Sequence, residues 1–139
     1  MQTKYDAYIK EMFGLGRFGI ILGLSVVENI LTSLDNPQKS YKSIHIAGTN
    51  GKGSIASTIS SILSEYGFKT GLYTSPHLVK FNERFCINGN PVEDDDIVDA
   101  YEKIKDAGKN HERQATFFEI STAMAFYLFK KHKVDIAVI

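Results

Sequence analysis

The apolar residues of this 139-residue chain change their spacing several times, and each change marks an element. Tyr5 to Phe13 mixes apolar and charged residues as a short helix does, and the following Gly14-Leu15-Gly16-Arg17-Phe18-Gly19 reads as a flexible stretch. Helix is expected again from about Leu22, with Leu24, Val27, Leu31 and Leu34 on one face, until Asp35-Asn36-Pro37 stops it. Both helices are expected to cover a sheet. A short apolar run ending at Ala47 reads as a strand, and Ile55, Ile59, Ile62, Leu63 and Tyr66 then recur at helical spacing before Gly67 ends the helix. Thr70 to Thr74 reads as a second strand. The order strand, loop, helix, strand predicts a parallel βαβ unit.

Further on, Phe81 to Pro91 is expected to be extended, with Asn88-Gly89 as its turn. Glu83 and Arg84 within it are either functional or simply paired, the solvated structural pair being favoured, and Cys86 reads as a small core residue. Glu93-Asp94-Asp95-Asp96 precedes the helical pattern Ile97, Tyr101, Ile104. Four acids there suit a helix N-terminus better than a metal site. Lys109 to Arg113 is polar, lacks a period and reads as a surface loop. A long helix then places Ile120, Ala123, Met124, Tyr127 and Leu128 on one face and closes at Lys130 to Lys133, while Thr116 and Glu119 have capping-box spacing at its start. Val134 to Ile139 reads as a buried parallel strand.

Composition narrows the picture. A chain of this length, 43% hydrophobic, is expected to form one core. Sixteen basic and sixteen acidic residues cancel, which argues against a nucleic acid or a membrane surface as partner. The single cysteine excludes an internal disulfide framework, no long uncharged apolar segment occurs, and the cytoplasm is the expected compartment.

The chemistry concentrates at Gly48-Thr49-Asn50-Gly51-Lys52-Gly53-Ser54, between the first strand and a helix. Glycines let backbone N–H groups turn toward an anion, the helix adds its positive dipole end, and Lys52 brings a mobile charge. This is a nucleotide phosphate cradle, although the usual P-loop would need glycine at Ile46 and a hydroxyl at Gly53. The hydroxyl after the lysine normally holds Mg²⁺. Either Ser54 takes that role or another segment does, and Ser75 is well placed if the two strands are neighbours, since ligands gather at the carboxyl ends of parallel strands.

Gly-Thr-Asn-Gly-Lys-Gly-Ser, Tyr73-Thr74-Ser75-Pro76-His77-Leu78-Val79, Phe81-Asn82-Glu83-Arg84 and Thr116-Phe117-Phe118-Glu119 occur here in one order. Together they resemble the folylpolyglutamate synthase and dihydrofolate synthase branch of the Mur ligase superfamily, over nearly the whole chain. The resemblance implies an α/β P-loop NTPase-like domain, mainly parallel and flanked by helices, of the Mur ligase central-domain type. It implies an ATP-dependent ligase that adds L-glutamate to dihydropteroate or folate through an acyl phosphate. Lys52 would be the catalytic cation; Thr49, Asn50, Gly51, Lys52, Gly53 and Ser54 would bind ATP, and Ser75 would bind Mg²⁺. Thr116, Phe117, Phe118 and Glu119, with Gly19, Ile20, Ile21 and Leu22, would contact the pterin-bearing substrate.

By the same resemblance, residues 1–139 would be a partial N-terminal ATP-binding domain, with the C-terminal domain outside this chain and little activity alone. The full enzyme would act as a monomer on small molecules. Two rivals remain: a Mur-type peptidoglycan ligase, disfavoured by Gly53 and Thr-Phe-Phe-Glu, and a nucleotide- or pterin-binding module without chemistry.

Overall fold

A computed structural model describes residues 1–16, 21, 23–111 and 113–139. In chain order the elements are α1 (Lys4–Leu15), α2 (Ser25–Ser33), β1 (Lys42–Ile44), α3 (Lys52–Glu65), β2 (Thr70–Tyr73), β3 (Phe85–Ile87), β4 (Asn90–Pro91), α4 (Asp94–Gly108), α5 (Phe117–Lys131) and β5 (Ile136–Val138). Their termini follow local chemistry. Thr3 and Asp6 form a capping box that starts α1, and Thr116 and Glu119 form the one that starts α5. Asp94, Asp95 and Asp96 occupy the first turn of α4, as the acidic run predicted. Gly67, at φ 91°, ends α3.

The final apolar run becomes an interior strand of the sheet, whose order is β1-β5-β2-β3-β4. β5 pairs in parallel with β1, Ser43 opposite Ala137, and with β2, Gly71 opposite Ala137. β3 and β4 add an antiparallel edge through Asn88-Gly89, whose φ values of 49° and 80° make the turn that Asn-Gly favours. The sheet is therefore mixed: parallel from β1 through β5 to β2, antiparallel from β2 through β3 to β4. The condition that β1 and β2 be neighbours is not met, because β5 lies between them and takes both sets of ladder bonds. No local signal in residues 42–74 could announce a partner that arrives at residue 136.

One face of the sheet carries α3 and the other carries α5. α5 is buried on most sides, from Glu119 through Phe129, because it lies between the sheet and an outer layer. α1 and α2 pack chiefly in that layer, against α4 and α5, rather than on the sheet as expected. Two predicted faces rotate as a result. In α2 the buried residues are Val26, Ile30 and Leu31, while Leu24 stays 65% exposed. In α3 the sheet receives Ala56, Ile59, Ser60 and Leu63, leaving Ile55, Ile62 and Tyr66 in solvent. Small residues at Ala56 and Ser60 let the helix approach the strands closely, and that contact outweighs burial of the larger isoleucines.

Candidate functional site

The chain leaves β1 and turns through a loop of exposed residues, 47–51, into α3. Gly48 has φ 152° and Gly51, the residue before the helix, φ 73°, so two of the loop's glycines occupy backbone conformations that side chains rarely adopt. Lys52 is the first residue of α3, and its Nζ donates to the Gly48 carbonyl at 2.5 Å. The amine is thus held over its own loop, at the positive end of a 14-residue helix. Thr49, Asn50, Gly53 and Ser54 are all exposed around it.

A cavity of about 200 Å³ opens beside this loop. Lys52 and Gly53 line one side, Thr74 and Ser75 at the end of β2 another, and Phe118 of α5 a third. The carboxyl ends of β1, β2 and β5 therefore converge there, with Ile46, Tyr73 and Ile139 beneath. Ser75 reaches Lys52 across β5 instead of from a neighbouring strand. A larger cavity of about 400 Å³ lies between α1, α4 and the segment before α5, but its charged groups already have partners: Lys105 with Glu11, Lys109 with Asp106, and Arg113 with Glu119.

Of the Thr116 to Glu119 motif, only Phe118 faces the 200 Å³ cavity, and it is 66% exposed. Phe117 turns instead into an aromatic cluster with Phe13, at 5.6 Å between ring centroids, and Phe81, at 6.0 Å. Glu119 is 6% exposed. Its Oε1 accepts from Arg113 Nη2 at 2.8 Å, and its Oε2 accepts from Arg113 Nη1 at 3.1 Å and from the Thr116 N–H at 2.8 Å. Burial works to raise this carboxyl, but Arg113 and Thr116 outweigh it and hold it below its ordinary range. Both oxygens are engaged inside the chain, so Glu119 builds the α5 start and Phe118 is what the motif presents. Gly19, Ile20 and Leu22 lie outside the described residues; Ile21 is 39% exposed.

Glu83 and Arg84 do not behave as the solvated pair the sequence suggested. Glu83 accepts from the backbone N–H groups of Leu78, Val79 and Lys80, and Arg84 Nε donates to His77 Nδ1 at 2.8 Å. Partial burial and the Arg84 charge lower the His77 pKa, in keeping with a neutral ring that accepts at Nδ1. Nothing in the local pattern marks these contacts, which depend on a turn that brings residue 84 back to residue 77. Two acids of the first turn of α4 are likewise engaged, Asp94 with Lys80 and Asp96 with Lys131 and His132.

Among the described residues, no group of three or more His, Cys, Asp or Glu could hold a metal. The cavity offers hydroxyl oxygens instead, from Thr74 and Ser75, beside a lysine and a helix N-terminus. That set fits Mg²⁺ arriving with phosphates, since this cation keeps most of its waters and needs few protein oxygens.

No family model matches the chain. It is 36% identical to the dihydrofolate synthase/folylpolyglutamate synthase of Bacillus subtilis over an alignment 143 positions long that covers 99% of this chain and 33% of the relative. Its fold superposes on the folylpolyglutamate synthase of Thermotoga maritima with a TM-score of 0.86 at 39% identity, over 98% of this chain and 33% of that one. The Mycobacterium tuberculosis folylpolyglutamate synthase complexed with ADP matches with a TM-score of 0.87 at 33% identity, over 98% and 32%. The chain spans about a third of the length of these relatives. Agreement of fold and sequence over nearly every residue places it: the chain belongs to the folylpolyglutamate synthase and dihydrofolate synthase family.

Proposed function

We propose that this chain forms the nucleotide-binding part of an ATP-dependent ligase that joins L-glutamate to dihydropteroate or to a folate glutamate, in the cytoplasm. The observation that carries the reading is one cavity lined by Lys52, the start of α3, Ser75 and Phe118. The ADP held by the M. tuberculosis relative and the two activities named for the B. subtilis relative support it.

In that reaction a carboxylate oxygen of the acceptor attacks the γ-phosphorus of ATP, and ADP departs with the bridging oxygen. The amine of L-glutamate then attacks the acyl carbon, the C–N bond forms, phosphate leaves and the nitrogen gives up its proton. Phosphoryl transfer asks a protein mainly for positioning and charge neutralisation. Lys52 would exchange the Gly48 carbonyl for phosphate oxygens, and the N–H groups of Gly51 and Gly53 would donate to the same phosphates. Thr49 and Asn50, exposed in the same loop, would also contact the nucleotide. Ser75 and Ser54 would hold Mg²⁺, which when bound neutralises charge on the terminal phosphates. Phe118 would stack on the pterin, with Thr116, Phe117 and Glu119 fixing the helix that carries it, and Gly19, Ile20, Ile21 and Leu22 would contact the same substrate, as the sequence resemblance implies.

A chimera in which this chain replaces the matching third of the B. subtilis enzyme tests the reading. It should release ADP only when L-glutamate and dihydropteroate, or a folate, are both present. A folded chimera that releases ADP regardless of those acceptors, or none at all, would overturn the assignment.

A further inference from the structure

Ser75 sits in a segment whose packing comes from the His77 ring, stacked on Phe13 at 5.7 Å between centroids, while Leu78 and Val79, just beyond it, are 92% and 90% exposed. Polar contacts from two consecutive residues supply further hold. Arg84 reaches both sides of Ser75-Pro76. Its carbonyl accepts from the Thr74 N–H at 3.1 Å, and its Nε donates to His77 Nδ1 at 2.8 Å. Glu83 takes the rest, with Oε2 accepting from the Leu78 N–H at 3.0 Å and Oε1 from those of Val79 and Lys80 at 3.0 and 2.7 Å.

The base of this arrangement is anchored in the core. Glu83 and Arg84 end a short 3₁₀ turn, Phe81–Arg84, whose first two residues are each 2% exposed. Asn82 Nδ2 donates to the Val92 carbonyl at 2.7 Å, its Oδ1 accepts from the Tyr5 hydroxyl at 2.6 Å, and the Phe81 ring meets Phe85 at 5.2 Å. The Arg84 guanidinium also lies over the rings of Phe81 and Phe117, 5.7 and 5.2 Å from their centroids. A flat cation stacked on two rings with its Nε on a third has little freedom to swing away.

We propose that Glu83 and Arg84 are positioning residues of the nucleotide site, a clamp that sets Ser75 opposite Lys52 and so determines how readily Mg²⁺ binds with nucleotide. The proposal rests on the nucleotide reading above. Neither residue lines the cavity with Lys52. They act through Thr74, His77 and the loop backbone. Mg²⁺ demands near-octahedral geometry at short distances, so an oxygen ligand on a wandering loop is far poorer than one held in place.

Calorimetric titration of this chain with ADP across a Mg²⁺ series, and again in EDTA, tests the clamp. Arg84→Met keeps the apolar stem and removes the donors. It should raise the Mg²⁺ concentration needed for half-maximal ADP affinity about tenfold and leave affinity in EDTA unchanged. In a Ser75→Ala background the same substitution should change nothing further. His77→Phe keeps the ring against Phe13 and removes only the acceptor, so it should reproduce the metal-specific shift even if Arg84→Met does not fold. A purely structural Arg84 would weaken binding equally with and without metal, or add in full to Ser75→Ala, and either result overturns the clamp while leaving the nucleotide reading intact. If the unaltered chain binds no ADP at all, both fall together.

Discussion

Gly71 and Phe129 meet with no room between them: a Cβ added to Gly71 would lie 2.6 Å from Cδ1 of the Phe129 ring and 2.8 Å from Cγ and Cε1. Phe129 is fully buried on α5, and Gly71 pairs with Ala137 at the centre of the sheet. Gly71→Ala should therefore force the ring or the helix to move and destabilise the chain by about 1–3 kcal/mol. Thermal unfolding should show a drop of roughly 3–10 °C. Phe129→Leu in the same background should recover part of the loss.

β2 is tied to the same helix nearer the site. The Tyr73 hydroxyl and Ser121 Oγ lie 2.9 Å apart, both residues buried, and Ser121 Oγ also donates to the Phe118 carbonyl at 3.2 Å. Tyr73→Phe and Ser121→Ala should each cost about 1 kcal/mol, measured by urea unfolding. The double variant should cost clearly less than the sum, because one contact is lost twice.

The α5 start predicts an acid limb. Glu119 is held below its ordinary carboxylate pKa in the folded chain, so it binds fewer protons there than when unfolded. Its contribution is complete above the ordinary carboxylate range and is lost as pH falls through the lowered folded value. Asp96, held low by Lys131 and His132 against the opposing effect of burial, acts in the same direction. Unfolding midpoints followed from pH 7 to pH 3 should fall mainly below about pH 4.5. In Arg113→Gln the buried carboxylate loses its cation, so stability should already be lower at pH 7, and the part of the acid fall that Glu119 contributes should shrink or reverse. An unchanged profile would remove Arg113 as the partner that matters.

What the sequence made legible was chemistry that acts over a few residues. Capping at Thr116 and Glu119, acids ahead of Ile97, Asn88-Gly89 and the glycine loop before Lys52 each follow from local backbone rules, and each appears in place. What stayed hidden depends on distant partners. Which face of α3 is buried was set by strands at residues 70–73 and 136–138, and small residues won it over Ile55 and Ile62. Charge at Glu83 and Arg84 looked solvated because the N–H groups and ring they hold carry no charge to pair with. Glu119 looked available to a ligand because Arg113 stood in a stretch with no period.

Phe118, in the proposed reading, serves the acceptor and not the nucleotide. It is 66% exposed, so Phe118→Ala should change stability by less than about 0.5 kcal/mol. Losing a stacking face should weaken dihydropteroate binding about tenfold, equivalent to about 1.4 kcal/mol, with Mg·ADP affinity unchanged. Calorimetry with each ligand separately checks both halves. Equal losses for the two ligands would return Phe118 to a packing role.

The most direct measurement is a calorimetric titration of this chain and its Lys52→Ala variant with Mg·AMPPCP. Lys52 is exposed at the head of α3 and bonded only to the Gly48 carbonyl among the described residues, so removing it should leave the fold intact by circular dichroism. If the phosphate cradle is what the loop builds, the unaltered chain binds the nucleotide and the variant binds at least tenfold more weakly. Equal affinity in a folded variant would contradict the account at its centre.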